Sequence, residues 1–212
     1  SRRAALLREA GVDGAGQALL VSLFCYANPA LPALLDQWAD GDDALVCLVP
    51  EGIARSELDR FTAGAVPHAG QTIVRGALTI ATLPMVDQDT FDRRLWRCDL
   101  NFVRGEDSLV RAQWAGRPFV WQLYPQDEDA HLAKMDAYLT RYEAGLPEPA
   151  HAMQRAFWYG WNDGNADMVA SSWPGLRQAL PTLHRHGAAW AAAQAAGTDL
   201  ATRLVDFCDR RD

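Results

Sequence analysis

The sequence predicts an α/β fold: a Rossmann-like, doubly wound parallel sheet with a C-terminal helical extension. Three observations support this prediction. Five short apolar runs alternate with helical segments between residues 18 and 124, which is the pattern of an α/β domain with right-handed crossovers. The first run, Ala18–Tyr26, is apolar almost throughout, as expected of a strand that is buried on both faces of a parallel sheet. After Pro125 the strand-like runs stop and helical periodicity takes over.

The first part of the chain divides into strands and helices at turn-forming residues. An amphipathic helix is expected to end before Gly11, and Pro29 is well placed to open the helix after the first strand. Between the predicted helix 50–61 and the predicted strand 78–84 the chain is loop-like, with a short strand or hairpin as an alternative near Thr72–Val74. The predicted strands are 18–26, 44–49, 78–84, the start of 100–114 and 118–124, and the predicted helices are 2–10, 29–38, 50–61, 87–96 and the rest of 100–114.

The second part of the chain, residues 127–212, is predicted to be mostly helical. The expected helices are 127–143, 149–161, 172–194 with a break near Pro181, and a last one that starts after Gly197, with Thr198 as its N-cap, and runs to about 210. Consecutive aromatic residues at 157–161 cover more than one helix face. Packing between helices is favoured for this cluster over contact with a ligand.

Composition narrows the range of functions. The 212 residues are 49% hydrophobic and carry a net charge of −7, and Lys134 is the single lysine among 20 basic residues. Nucleic acid is therefore disfavoured as a partner, because a binder of the phosphate backbone normally shows a basic face. No apolar run reaches the 18 or so residues that a membrane span needs, so we expect no membrane insertion.

The cysteines and histidines do not indicate a metal site. Cys25, Cys47, Cys98 and Cys208 are widely spaced, and the favoured interpretation is free, buried thiols in a reducing cytoplasm. His184–His186 forms a close histidine pair on a helical stretch, but residues two apart point to different helix faces. A metal site is therefore not expected.

The candidate site is centred on Leu100–Trp114, where a short buried strand passes through one glycine into an amphipathic helix. Such a junction lies at the carboxyl end of a strand, where open α/β sheets bind ligands. The residues that crowd this point are Arg104, Gly105, Glu106, Asp107 and Ser108. The unpaired N–H groups of a helix start favour anions. The two carboxylates are equally compatible with ordinary first-turn acids that stabilise the helix start.

Further polar and aromatic residues follow the other strands. They are Phe24 and Tyr26 after the first, Met85 and Gln88 after the third, and Tyr124 after the fifth. If the sheet is parallel, these side chains converge with the junction on one crevice, and their chemistry suits a nucleoside diphosphate. A ring such as Phe24 stacks on a base, an amide such as Gln88 matches a pyrimidine edge, and a guanidinium suits phosphate. The two tyrosines also fit strand-end core positions with a solvated hydroxyl.

Three segments carry a resemblance to a known family. They are 24–26 (FCY), 83–88 (LPMVDQ) and 97–122, which contains RCDLNFVRGEDS and QWAGRPFVWQ. With them, the whole chain resembles the bacterial elongation factor P arginine rhamnosyltransferases, and specifically their C-terminal, donor-binding domain. The resemblance implies a GT-B architecture of two Rossmann-like domains. It implies an inverting transfer of L-rhamnose from dTDP-β-L-rhamnose to an arginine of elongation factor P, in the cytoplasm.

The resemblance also divides the chain and assigns residues. Residues 1–212 would form the donor-binding domain, with 1–16 as an interdomain helix and linker, and the N-terminal acceptor and catalytic-base domain would be absent from this chain. The expected donor site comprises Phe24, Tyr26, Gln88, Arg104, Gly105, Glu106, Asp107, Ser108 and Tyr124. Met85 stands where many relatives are expected to carry phenylalanine. Glu106 is the expected catalytic residue.

The expected mechanism follows from the acceptor. A guanidinium is a poor nucleophile because it effectively never loses its proton in water, so carboxylates must orient it and accept its proton. We expect Glu106 to provide one carboxylate, the N-terminal domain to provide the base, and Arg104 to stabilise the leaving dTDP without a metal ion or another cofactor. The alternatives are a non-catalytic nucleotide- or partner-binding module and a transferase for another dTDP- or UDP-sugar.

Overall fold

The computed structural model describes residues 2–126 and 130–209. Its strands are β1 (Leu19–Leu23), β2 (Leu45–Pro50), β3 (Thr72–Arg75), β4 (Leu78–Leu83), β5 (Leu100–Arg104) and β6 (Phe119–Gln122). Its helices are α1 (Arg2–Glu9), α2 (Leu31–Ala39), α3 (Arg55–Phe61), α4 (Gln88–Leu95), α5 (Gly105–Ala115), α6 (Ala130–Tyr142), α7 (Glu148–Asp163), α8 (Ala166–Ala195) and α9 (Leu200–Asp209).

The strands form one six-stranded sheet in the order β3-β4-β2-β1-β5-β6. All neighbouring pairs are parallel except β3 with β4. The predicted α/β class with a mainly parallel sheet is therefore confirmed. Strand β1 lies between β2 and β5, so the strand order reverses there. Ligands of open α/β sheets bind outside the carboxyl ends of the strands at such a reversal.

The edge strand β3 differs from the fully parallel prediction. It pairs antiparallel with β4 through a tight turn at Gly76 and Ala77, and its side chains are mostly exposed, as at Val74. Gly76 has a φ of 56°, and a Cβ atom there would overlap the carbonyl group of Ala39, at 2.9 Å from the carbonyl carbon. The backbone of α2 thus requires glycine in this turn. From the sequence, this hairpin was predicted only as an alternative to a loop.

Two predicted helices begin later than expected. Helix α2 starts at Leu31 instead of Pro29, with Pro32 in its first turn, because the side chain of Asn28 accepts a hydrogen bond from the N–H of Ala30 and forms a turn before the helix. Helix α3 starts at Arg55 instead of residue 50, since Pro50 is still paired with Leu83 in the sheet.

For the third C-terminal helix, the predicted start at residue 172 and the predicted break near Pro181 are both wrong. Helix α8 begins at Ala166, capped by Asn165, and continues through Pro174 and Pro181 without the expected break. Each proline removes a helical hydrogen bond, but buried side chains such as Leu180 hold α8 against its neighbours on both sides of Pro181. Tertiary packing therefore overrides the local preference.

The last helix is capped by Asp199 instead of Thr198. The Asp199 carboxylate accepts hydrogen bonds from the N–H of Thr202, at 3.0 Å, and from its hydroxyl, at 2.7 Å. Residues 127–129, predicted as the start of a helix, and residue 210, predicted as the end of the last one, lie outside the described residues.

The core lies on both faces of the sheet. The larger cluster packs α2, α7 and α8 against the sheet, and its aromatic centre contains Phe157, Trp158 and Trp161 with no exposed surface. The core role favoured for the aromatic run at 157–161 is confirmed for these three rings. A smaller cluster on the opposite face includes Leu6 and Leu7 of α1, so the segment predicted as an interdomain helix packs directly on this domain.

The cysteines agree with the prediction with one exception. Cys25, Cys47 and Cys98 are buried free thiols, whereas Cys208 of α9 is exposed. Within residues 2–126 and 130–209, no helix is both long and apolar enough to cross a membrane.

Candidate functional site

The junction between β5 and α5 has a backbone shape that only glycine adopts easily. Gly105 has a φ of 64°, which costs a residue with a side chain roughly 1–2 kcal/mol. A Cβ atom on Gly105 would also lie 3.1 Å from the hydroxyl oxygen of Tyr26. The indole N–H of Trp121 donates to the Gly105 carbonyl at 2.8 Å. The chain therefore changes from strand to helix at Gly105, whose backbone conformation is fixed by these contacts.

Arg104 points into the loop after β1 and is held there on three sides. Its guanidinium carbon lies 4.5 Å from the ring centre of Phe24 and 4.8 Å from that of Tyr26. One guanidinium nitrogen donates to the carbonyl oxygen of Cys25 at 3.2 Å. Cation–π contacts of this kind attract a cation to a ring face. They orient a permanent positive charge beside the start of α5.

A pocket of about 150 Å³ is lined by Phe24, the ring on which Arg104 packs. It brings together five of the predicted site residues: Phe24, Met85, Gln88, Asp107 and Ser108. Met85 and Gln88 are exposed on its rim, while Ser108 is 8% exposed. The predicted convergence of strand ends on one crevice is thus seen for side chains that follow β1, β4 and β5.

The sequence prediction missed Phe91, which lines the same pocket. Its ring centre lies 5.4 Å from that of Phe24, with the planes tilted by 60°. Met85, the position expected to carry an aromatic ring in relatives, is instead 61% exposed. A usable signal was present in the sequence: Phe91 follows Gln88 by three residues on α4, so the two share a helix face.

The two carboxylates of the junction are both paired with basic side chains. Glu106, whose side chain is 75% exposed, forms an ion pair with Lys134 of α6. The hydrogen bond from Lys134, and then its charge, lower the pKa of Glu106. Asp107 accepts from Arg111 at 3.1 Å, and Arg111 also bonds Asp92 at 2.9 Å. Neither acid leaves an uncompensated negative charge beside Arg104.

Tyr26 and Tyr124 form the far side of the site. Their rings meet edge to face at 5.6 Å, and the N–H of Tyr26 donates to the side-chain oxygen of Gln122 at 2.9 Å. Tyr124 is 69% exposed, so it is not the strand-end core residue that remained an alternative in the sequence. It lines a small hollow together with Gly105, Glu106 and Lys134.

A second cavity, of about 590 Å³, is lined by Arg104 itself. Its opposite wall comes from the loop after β2 and from Glu57, which is 3% exposed. The Glu57 carboxylate accepts from the N–H of Asn28 at 2.9 Å and from the hydroxyl of Ser56 at 2.7 Å. This buried network fixes the loops around the carboxyl ends of β1 and β2.

Cys25 lies in the same wall but is a poor nucleophile. Burial, and then the negative charge of Glu57, raise the pKa of its thiol to about 12, against a smaller opposite effect of Arg104. The thiolate is the reactive form of cysteine. Within residues 2–126 and 130–209 there is also no group of three or more His, Cys, Asp or Glu residues arranged to hold a metal ion.

Comparison with known proteins gives a consistent family. Residues 1–209 match the family model described as Elongation-Factor P (EF-P) rhamnosyltransferase EarP. A protein-arginine rhamnosyltransferase of Pseudomonas putida is 47% identical over 205 residues, which are 97% of this chain and 54% of that protein. The corresponding protein of Pseudomonas aeruginosa is 47% identical over 188 residues, 89% of this chain and 50% of the relative.

More distant relatives and a solved structure agree. A protein-arginine rhamnosyltransferase of Shewanella oneidensis is 38% identical over 201 residues, 92% of this chain and 51% of the relative. A structure described as the structural basis for EarP-mediated arginine glycosylation of translation elongation factor EF-P superposes with a TM-score of 0.85 at 43% identity, covering 98% of this chain and 66% of that one. The chain spans about half the length of the curated relatives it matches. It belongs to the EarP family of elongation factor P rhamnosyltransferases.

Proposed function

We propose that this chain is the donor-binding half of an inverting protein-arginine rhamnosyltransferase. It would bind dTDP-β-L-rhamnose, and the complete enzyme would transfer L-rhamnose to an arginine of elongation factor P. The observation that carries the proposal is the aromatic pocket beside Arg104 and the glycine-started helix α5, at the strand reversal between β1 and β5. The half of the enzyme beyond this chain would contribute the catalytic base and an acceptor surface.

The aromatic pocket fits a thymine base. Phe24 and Phe91, whose ring centres lie 5.4 Å apart, both line the 150 Å³ space, and stacking a base on an aromatic ring is worth about 1–3 kcal/mol. The amide of Gln88 on the rim offers a donor and an acceptor to the pyrimidine edge. Met85 on the same rim is a flexible side chain that can cover the base.

The start of α5 fits the diphosphate. The first N–H groups of a helix lack partners within the helix and favour anions, and Ser108 adds a hydroxyl at the pocket wall. Arg104 supplies a forked positive charge that is already oriented by Phe24 and Tyr26. Because this charge is fixed before the reaction, it can stabilise the dTDP leaving group without reorganisation. This part of the reaction calls for no metal ion or further cofactor.

Glu106 would orient the acceptor arginine. Its lowered pKa keeps it ionised at neutral pH, which suits it to pairing with a guanidinium and not to accepting a proton. In the free chain Lys134 occupies the carboxylate, so an incoming acceptor arginine would replace Lys134. A guanidinium is a poor nucleophile until it loses a proton. A base from the other half of the enzyme would therefore have to accept that proton.

The donor site is tested by calorimetric titration of dTDP into this chain. Replacing Arg104 by alanine removes a charge-assisted contact, and we expect the affinity for dTDP to fall at least about tenfold. Arg141→Ala, an exposed arginine of α6, is the matched control and should bind normally. Equal affinities of the Arg104 variant and the control would reject the phosphate role. UDP and GDP titrations distinguish a dTDP-sugar enzyme from one that uses another nucleotide.

The catalytic part is tested in the full-length protein that carries this chain. Glu106→Gln keeps the shape of the side chain but removes its charge, so we expect slower rhamnosylation of elongation factor P with unchanged dTDP affinity. A variant that glycosylates at the original rate would remove Glu106 from the mechanism. Absence of rhamnosyl transfer by the unmodified full-length protein would leave a nucleotide-binding module as the better description.

A further inference from the structure

A further cavity, with arginine-rich walls, lies at the amino ends of the strands, on the opposite side of the sheet from the candidate donor site. We call it the amino-edge cavity; its volume is about 760 Å³, and its defining residues are Arg2, Arg3, Arg93, Trp96, Arg97 and Arg117. These come from the start of α1, the end of α4 and the residue that precedes Pro118 and β6. No step of the proposed transfer reaction uses them.

Positive charge in this cavity is largely uncompensated, although the chain as a whole carries −7. Among the described residues that line this cavity, Asp99 is the one acid. Its carboxylate pairs with Arg3 at 2.8 Å and accepts from the N–H of Leu20 at 2.8 Å. Among the residues that the structure describes, the side chains of Arg2 and Arg97 have no hydrogen-bond or ion-pair partner. Five guanidinium groups therefore share one cavity with a single carboxylate.

Helix stability does not account for the two arginines at the start of α1. Arg2 and Arg3 occupy the first turn of α1, which has no acidic residue, and cations at a helix N-terminus oppose the helix dipole. Arg117 contacts the ring of His184, whose pKa is lowered first by burial and then by the positive charge of Arg117. Arg3 is paired with Asp99, and Arg117 donates to the carbonyl oxygen of Trp96 at 3.0 Å. The positive potential left for a ligand therefore comes mainly from Arg2, Arg93 and Arg97.

We propose that the amino-edge cavity binds a nucleoside polyphosphate. Its phosphates would contact Arg2, Arg93 and Arg97, whose forked guanidinium groups suit phosphate oxygens. Its base would stack on Trp96, which is 47% exposed at the cavity. The volume lies within the range of about 300–1,000 Å³ that is usual for small-molecule sites.

The density of charge favours a polyphosphate over an acidic protein. A polyphosphate concentrates several negative charges within a few ångströms, as the arginines of one cavity require, whereas the carboxylates of an acidic peptide are spread along its backbone. The concave shape and the single exposed indole of the wall also suit one base better than a long single strand of RNA, which needs a series of stacking rings along a groove.

The first test is calorimetric titration of ATP into the 212-residue chain and three variants. Arg97→Gln should weaken ATP at least about tenfold, while Arg141→Gln, on a helix outside the cavity, should bind ATP normally. Arg104→Gln should also bind ATP normally, because Arg104 belongs to the other edge of the sheet. The reverse pattern, in which Arg104→Gln loses ATP and Arg97→Gln does not, would place the nucleotide at the donor site and overturn the proposal.

The second test separates the base from the phosphates. Trp96→Leu should weaken ATP but leave the affinity for inorganic tripolyphosphate unchanged, with circular dichroism confirming that the variant is folded. Equal effects on both ligands, or no effect on ATP, would contradict stacking on Trp96. Tighter binding of a uridine oligonucleotide or of polyglutamate than of ATP would identify a macromolecular surface and reject the small-ligand assignment.

Discussion

At the carboxyl edge of the sheet, Arg104 is fixed between Phe24 and Tyr26 and bonded to the carbonyl of Cys25. At the amino edge, Arg2 and Arg97 line an open cavity without a partner among the described residues. The same residue type is thus oriented in advance at one edge and left free at the other. An arginine that is oriented before the reaction can stabilise a negative charge that develops during it. An arginine without a partner only raises the local positive potential until an anion binds.

Gly76 and Gly105, one at each edge of the sheet, differ in what a side chain would contact. Gly76, at the amino edge, is required by the backbone of α2, because a Cβ atom would overlap the Ala39 carbonyl. Gly105, at the carboxyl edge, faces only the hydroxyl of Tyr26, at 3.1 Å from the position of a Cβ. The first glycine serves the fold and the second serves the site, so their substitutions should separate stability from ligand binding.

The largest effect is expected from Gly76→Ala. A left-handed backbone costs a side chain roughly 1–2 kcal/mol, and forcing an atom into a packed space adds about 1–3 kcal/mol, so the free energy of unfolding should fall by about 2–5 kcal/mol. Urea unfolding followed by circular dichroism measures it. Gly64→Ala, which has a φ of 90° but no atom within 4 Å of the added Cβ, should show only the smaller backbone cost. Equal losses for both variants would argue against the overlap with Ala39.

Removal of the ring of Phe91 should weaken the donor nucleotide. We expect Phe91→Ala to reduce dTDP affinity by about 1–3 kcal/mol, the usual contribution of stacking one base on a ring. Its affinity for inorganic pyrophosphate should not change, because Phe91 belongs to α4 and packs on Phe24, whereas the phosphates are assigned to Arg104 and the start of α5. Val74→Ala, an exposed position of β3 outside both cavities, is the control and should bind dTDP normally. If both ligands weaken together, Phe91 supports the pocket instead of stacking on the base.

Gly105→Ala should combine a modest loss of stability with a loss of binding. The φ of 64° predicts a cost of roughly 1–2 kcal/mol in unfolding free energy, and the added Cβ should displace the hydroxyl of Tyr26. Because Tyr26 also orients Arg104, dTDP affinity should fall in the folded variant. Gly64→Ala again provides the comparison, with a similar backbone cost and unchanged dTDP binding. A Gly105 variant that binds dTDP like Gly64→Ala would show that the shape of the junction is not needed.

The smallest effect concerns the pair of Glu106 and Lys134. Lys134→Met removes the hydrogen bond and the charge that lower the pKa of Glu106, so this pKa should rise towards its ordinary value, as measured by NMR titration. A carboxyl group with a lowered pKa in the folded state stabilises the fold above its ordinary pKa, and this contribution is lost as the pH falls through the lowered pKa. The variant should therefore lose slightly less stability than the parent on acidification below about pH 4.3. An unchanged Glu106 pKa would rule out the pair in solution.

The sequence was sufficient to predict an element where its local residue pattern agrees with its burial in the folded domain. The almost continuous apolar run at Leu19–Leu23 did become a central strand buried on both faces, and the change to helices after Pro125 is seen from α6 onwards. It failed where packing outweighs local preference, as at Pro181 inside α8. It named Met85 but not Phe91 among the site residues, although both line the pocket with Phe24, because the orientation of α4 on the sheet decides which of its side chains face the pocket.

By itself, the sequence determined the α/β class, the strand-to-helix junction at Arg104–Ser108 and the family to which these motifs belong. Strand periodicity and the glycine turn are encoded within a few residues, so they can be recognised locally. Only the tertiary structure decided that Arg104 lies between Phe24 and Tyr26, and that Lys134 pairs with Glu106. These contacts join residues far apart in the chain, and their partners depend on how the strands are ordered and how the helices pack on the sheet.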